Sequence, residues 1–285
     1  MMPATIRPGA TVQAPVTTVE RGVSSSREDF LAAEEPLEVR VTTNVGGNSV
    51  EHKISVTMRT PGNDFELAAG FLFSEGLIKQ VEDIDTIAYC TDPLEPQNYN
   101  VVNVTLAPGV QAETEGLSRH IYTTSSCGIC GKASIELVRT ACNQKPIGEF
   151  RLAGELLVEL PERMKAAQGL FSRTGGIHAS ALFDREGKLI ILREDVGRHN
   201  ALDKLVGALL TRKELPASNA VLLVSGRASF ELVQKAVIAG IPFLAAVGAP
   251  SSLAASLSDE YGVTLVGFLR GNRFNVYCNK QRLTI

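Results

Sequence analysis

The sharpest chemical feature of the chain is the run Thr123-Thr-Ser-Ser-Cys127-Gly-Ile-Cys130-Gly-Lys132. Glycines at 128 and 131 let the backbone turn with positive φ and leave both sulfurs exposed. Helical spacing through Ile135, Leu137 and Val138 predicts a helix over 133–142. Its N-terminal dipole, together with the Lys132 cation, favours thiolate over thiol. A thiolate attacks an activated sulfur and holds it as a persulfide. Two half-buried cysteines beside a tight turn are the plainer alternative, and they fit poorly with a loop rich in Ser, Thr and Gly. Zinc is another use of the same spacing, but it needs at least one further ligand and an open position. A zinc deaminase also needs H-x-E upstream and proline before the first cysteine. Here Ser126 precedes Cys127, and Ile54 and Tyr122 stand where His52 and His120 would require a glutamate. A thioredoxin-type site is disfavoured because the pair is not at the first turn of a βαβ unit. No metal site is expected.

Four further loops combine glycine with cations. They are Ser172-Arg-Thr-Gly175-Gly176-Ile-His178, Glu194-Asp195-Val-Gly197-Arg198-His199-Asn200, Ser225-Gly226-Arg227-Ala-Ser229 and Phe268-Leu269-Arg270-Gly271-Asn272-Arg273. The second and third each follow a predicted strand and open a helix, where free N–H groups and the dipole favour anions. In open α/β sheets that edge is the usual ligand crevice. Taken singly, His178 and His199 read as hydrogen-bonded structural residues; taken together, the loops read as one anion site. None fits G-x-x-x-x-G-K-[ST], so a P-loop NTPase is excluded.

The elements that must position these loops follow from hydrophobic periodicity. Residues 1–27, with Pro3, Pro8, Pro15 and a triple serine, read as a mobile tail. An N-terminal α+β domain covers 28–150: strands at 37–41 and 50–58, a helix opened by Asp64, strands at 87–90 and 99–106, then the cysteine loop and its helix. From 151 to 285 the pattern becomes a helix, a hairpin around Asp184-Arg-Glu-Gly187, and alternating helices and strands to a last strand at 274–277. That order implies helices on a largely parallel sheet, and it matches a three-layer cytidine-deaminase-like α/β domain. A doubly wound Rossmann sheet competes, because pattern alone does not fix strand order.

Composition bounds the function classes. The chain has 285 residues, 28 Lys+Arg against 31 Asp+Glu, a net charge of −3, 6% aromatics and no Trp. A generally basic or aromatic-lined nucleic-acid surface is therefore not expected. Five cysteines, an odd number, do not suggest a secreted disulfide framework. Residues 236–258 carry no charge and are long enough to span a bilayer, but Gly240, Pro242, Gly248 and Pro250 punctuate them. No secretory signal is read at the N-terminus. A cytoplasmic protein without membrane association is the expectation.

The sequence resembles the FdhD family, accessory sulfur carriers required by formate dehydrogenases. The likeness is carried by Cys127-Gly-Ile-Cys130-Gly-Lys132, Thr174-Gly-Gly-Ile-His178, Glu194-Asp-Val-Gly-Arg-His-Asn-Ala-Leu-Asp-Lys204, Ser225-Gly-Arg227 and Phe268 to Arg273. It implies a sulfurtransferase in which a cysteine desulfurase loads Cys127 as a persulfide. The sulfur then passes to a molybdenum bis-molybdopterin guanine dinucleotide cofactor destined for the formate dehydrogenase catalytic subunit. It further implies a cytidine-deaminase-like fold, a homodimer, cofactor binding by Phe268–Arg273, and GDP or GMP as mimics of that cofactor. Read beside it, Arg198, Arg227, Arg270 and Arg273 suit phosphates bidentately, and backbone N–H groups at Gly175, Gly176 and Gly226 could approach them. Cys130 assists transfer or reduces the persulfide. A non-covalent cofactor chaperone and a zinc-dependent deaminase-like enzyme stay open as alternatives.

Overall fold

Leu37, Val39 and Val41 are buried while Glu38, Arg40 and Thr42 are not, the period-two signature of a sheet with one covered face. These residues belong to β3 (Glu35–Val45), in a computed structural model that describes residues 8–45, 48–91, 97–110, 145–146 and 150–285. The Cys127–Cys130 loop and the helix expected over 133–142 lie outside the described residues. β3 pairs antiparallel with β4 (Asn48–Arg59) and parallel with β6 (Val101–Leu106). β5 (Ile84–Tyr89) completes a four-stranded sheet in the order β4-β3-β6-β5.

Two early expectations change. Residues 11–32, read as mostly tail, form a hairpin of β1 (Thr11–Glu20) and β2 (Val23–Ala32). Its turn is Arg21-Gly22, both with positive φ, the geometry that matches strand twist. Thr and Val supply the strands, and Pro15 is tolerated because both strands are edges. Asp64 does not cap α1 (Asp64–Ser74): the cap is Asn63, in a left-handed conformation. The Asp64 carboxylate is instead buried. It accepts from Arg59 (3.0 Å), the Tyr89 hydroxyl (2.9 Å) and Gly62 N (3.2 Å).

The second half builds a six-stranded sheet, β13-β12-β11-β10-β8-β9. Its strands are β8 (His178–Asp184), β9 (Leu189–Asp195), β10 (Ala220–Val224), β11 (Phe243–Ala246), β12 (Thr264–Arg270) and β13 (Arg273–Cys278). Only β10–β11 and β11–β12 are parallel. The expected largely parallel sheet is thus corrected to a mixed one, because two hairpins contribute antiparallel edges. A short parallel pair, β7 (Leu152–Ala153) with β14 (Leu283–Thr284), ties down the C-terminus. The helices are α2 (Gly154–Ala167), α3 (Gly169–Thr174), α4 (Arg198–Thr211), α5 (Phe230–Ile238) and α6 (Ser252–Glu260). The uncharged stretch at 236–258 resolves into the end of α5, β11 and the start of α6. No helix among the described residues is long and apolar enough to cross a membrane.

Alternation sorts the sheet into two faces. Val221, Leu223, Phe243 and Ala245 pack with Leu157, Leu160 and Met164 of α2. Leu222, Val224, Leu244 and Ala246 pack with α4, α5 and α6, and that same cluster continues through α1 to Leu37, Val39 and Val41. The boundary near 150 therefore divides the chain but not the core. α1 and α4 cross at bare backbone. A Cβ on Gly70 would stand 1.9 Å from the Asp203 carbonyl oxygen, and one on Gly207 would stand 1.9 Å from that of Glu66. Gly70→Ala should lower the unfolding free energy by about 3 kcal/mol through overpacking. Gly169→Ala, with nothing within 4 Å, should change it by less than about 0.5 kcal/mol. Urea midpoints at constant m-value check both.

Candidate functional site

Three parallel strands end at one edge of the six-stranded sheet, and the loops that follow them are knitted together. After β10, Gly226 O accepts from Gly248 N (2.9 Å) in the loop after β11. Gly248 O in turn accepts from Phe268 N (3.0 Å) at the end of β12. A Cβ at Gly248 would meet Gly226 O at 2.9 Å and the Arg227 Cα at 3.1 Å, so only glycine lets these loops nest. Sequence reading took Gly248 as punctuation alone; no local signal marks the contact.

β8 runs antiparallel to β10, so its first residue, His178, reaches the same edge. Ser225 Oγ accepts from Ala179 N (2.9 Å) and lies 3.4 Å from His178 Nδ1. Gly226 faces His178 and the Arg198 side chain: a Cβ there would stand 3.5 Å from the imidazole and 3.8 Å from Arg198 Cδ. Arg198 opens α4 directly after β9. The structure thus brings together His178, Arg198, Ser225 and Gly226. Burial, with Arg198 and His199 adding positive charge, holds His178 below the ordinary imidazole value, although Asp195 pulls it up.

The cations at this edge are unspent. Among the described residues, Arg198, Arg227 and Arg273 make no ion pair and no hydrogen bond, and the buried Arg198 Nε has no partner. His199 differs: its Nε2 lies 3.1 Å from Ser229 Oγ and 2.9 Å from Glu231 Oε2, tying α4 to the start of α5. That contact holds the Glu231 carboxyl below its usual range.

The Phe268–Arg273 segment lies at the β12–β13 tip, two strands from β10. Phe268 adopts positive φ at a bulge, and Leu269 is fully buried in the core beneath α2. Leu269 therefore anchors the segment instead of facing a ligand. Arg270 stacks over the Phe268 ring at 5.9 Å and stands directly opposite Arg273 in the ladder. Like charges so placed repel, which an anion would relieve. Gly271 and Asn272 form the turn and border an open groove of about 420 Å³ against α2, with Val158, Pro161 and Glu162.

The glycine pair at 175–176 is also corrected in part. Gly175 closes α3 in a left-handed conformation and its N–H donates to Phe171 O (2.8 Å), so it has nothing left for a ligand. Gly176 makes only a 3.4 Å contact to Thr174 Oγ1. Glu194 fixes this segment by accepting from Leu170 N and Phe171 N. Asp195, adjacent in the same motif, is wholly structural: its carboxylate is buried and pairs with Lys204 Nζ at 2.6 Å.

Comparison with known proteins places the chain in a family. The FdhD/NarQ family model matches residues 32–284. A Streptomyces coelicolor protein named sulfur carrier protein FdhD is 54% identical over 275 residues, covering 95% of this chain and 94% of its own. A Sulfolobus acidocaldarius protein of the same name is 40% identical, covering 95% and 97%. A crystal structure from Desulfotalea psychrophila, assigned as a formate dehydrogenase accessory protein, superposes with a TM-score of 0.72 at 24% identity, over 96% of this chain and all of that one. That likeness carries the fold, and the sequence matches carry the family. This chain belongs to the FdhD/NarQ family.

Proposed function

We propose that this protein is a sulfur carrier for formate dehydrogenase, loaded by a cysteine desulfurase and unloaded onto a molybdenum bis-molybdopterin guanine dinucleotide cofactor. The observation that carries the reading is a set of guanidiniums at one sheet edge with no ion-pair partner among the described residues, in a net acidic chain that also holds Cys127-Gly-Ile-Cys130. The relatives' shared name supports it. The client cofactor is cargo, highly anionic, and the site fits its phosphates. Arg198 has an orphaned buried nitrogen, Gly226 leaves backbone bare beside it, and Arg270 faces Arg273. Arg198, Arg227, Arg270 and Arg273 would hold phosphate oxygens.

Loading is an exchange without net redox. The Cys127 thiolate attacks the terminal sulfur of the donor persulfide; that S–S bond breaks, its electron pair leaves on the donor thiolate, and a new S–S bond forms on Cys127. Release uses Cys130. Its thiolate attacks the Cys127 sulfur, a disulfide forms between the two, and the terminal sulfur departs as hydrosulfide toward the cargo metal. The sulfane sulfur gains the two electrons that the thiol pair loses.

We assign the second half to a cytidine-deaminase-like domain, supported by its order of helix, hairpin and alternating units with helices on both sheet faces. A homodimer and a cytoplasmic setting complete the proposal. The non-covalent chaperone is the second reading, favoured by the fact that the anion edge needs no thiol to bind.

Three outcomes test these assignments. After incubation with a desulfurase and cysteine, the Cys127 peptide should gain the mass of one sulfur atom, and Cys127→Ala should abolish formate dehydrogenase activation while remaining folded. Full activation by that variant refutes the carrier. GDP affinity by calorimetry should fall about tenfold in Arg198→Ala and in Arg273→Ala, as expected for lost charge-assisted bonds. An unchanged affinity removes that residue from the site. The third concerns His178. Its native value lies below the ordinary one, so between the two the unfolded chain binds more protons and stability falls as pH drops. Denaturation at stepped pH from about 7 to 5 should show this loss, and His178→Asn should flatten it.

A further inference from the structure

The loop that presents Arg198 is clamped from the other half of the molecule. Asp195, 0% exposed, accepts from Gly197 N (2.8 Å) and Asn200 Nδ2 (3.1 Å) through Oδ1. Through Oδ2 it accepts from Thr60 N (3.1 Å) and pairs with Lys204 Nζ (2.6 Å). Lys204, 1% exposed, also donates to Thr60 O (2.8 Å). The Thr60 hydroxyl accepts from Val196 N (3.2 Å), and Asn200 reaches Met58 O (2.7 Å). Thr60 lies just past the end of β4, in the N-terminal sheet. Every contact lands between Asp195 and Lys204, the turn before Arg198 and the first two turns of its helix.

We infer that Thr60 and Lys204 are positioning residues that set the place of Arg198 at the anion edge, coupling the N-terminal sheet to ligand affinity. Both are buried, so neither would bind a ligand itself. A buried charge pair carries a desolvation cost that apolar packing avoids, and its use here supplies directional bonds instead. Four donors converge on one carboxylate, which leaves the 195–198 turn a single arrangement. Arg198 has no protein partner of its own among the described residues to hold it there. The inference rests on Arg198 being an anion ligand, as proposed above.

Thr60→Val removes only the hydroxyl acceptor and keeps shape, while Thr60→Ser restores it. With GDP as probe, calorimetry is done on full-length protein at a temperature where near-ultraviolet circular dichroism shows each variant folded. Thr60→Val should bind about tenfold more weakly, and Thr60→Ser within about twofold of the parent. In an Arg198→Ala background, Thr60→Val should add no further loss, because the residue it positions is gone. Lys204→Met, where it folds, should behave as Thr60→Val. A Thr60→Val protein that binds like the parent, or one whose loss repeats in full without Arg198, overturns the inference and leaves the anion site intact. A parent and Arg198→Ala that bind GDP equally overturn the anion site itself, and this inference with it.

Discussion

A buried carboxylate and a buried ammonium, Asp195 and Lys204, hold the two sheets to one another at the point where anion binding is proposed. Both sit in an interior where an unmatched charge would be strongly destabilising. Each is matched: the carboxylate by backbone N–H groups and an amide as well as the lysine, the ammonium by the Thr60 carbonyl as well as the aspartate. Lys235 repeats the pattern, donating to both Asp203 oxygens at 2.6 and 2.8 Å, with Ser74 of α1 donating to the same carboxylate. Burial alone would lower the Lys235 value, and Asp203 and Glu75 more than offset this to raise it. Arg59 is a third case, tying β4 to Asp64 and to the Tyr99 carbonyl. Through Thr60, Ser74 and the Tyr99 carbonyl, each pair also ties in a segment remote in the chain.

With those internal cations committed, the remaining ones define the surface. The acidic balance of the whole chain says little about an edge where three guanidiniums lack carboxylate partners among the described residues. Strand direction explains their convergence. The carboxyl ends of β10, β11 and β12 meet the start of β8 and the end of β9, so five separate loops open on one side. Glycines at 226 and 248 bring those loops within hydrogen-bonding distance.

Local pattern was enough to read most of this. The alternation at 37–41, the hairpin around Asp184–Gly187 and the glycine–cation loops all correspond to observed elements, since each signal lies within about ten residues. Long-range contacts were not readable. Thr60 and Asp195 are 135 residues apart, and nothing local to Thr60 distinguishes it from a strand-end threonine. Leu269 sat among site-like neighbours, yet the bulge at Phe268 turns it into the core. The N-terminal hairpin was hidden by Pro15 and the serines, because paired edge strands tolerate composition that elsewhere marks loops. Parallel or antiparallel pairing likewise depends on connections, not on apolar runs.

The shared core has a consequence for biosynthesis. One apolar cluster gathers side chains from Leu37 through Leu265, and α1 rests on the backbone of α4. As the chain emerges from a ribosome, α1 waits for the α4 backbone it rests on, which follows more than a hundred residues later. Such delayed closure favours slow folding and a window of exposure to aggregation.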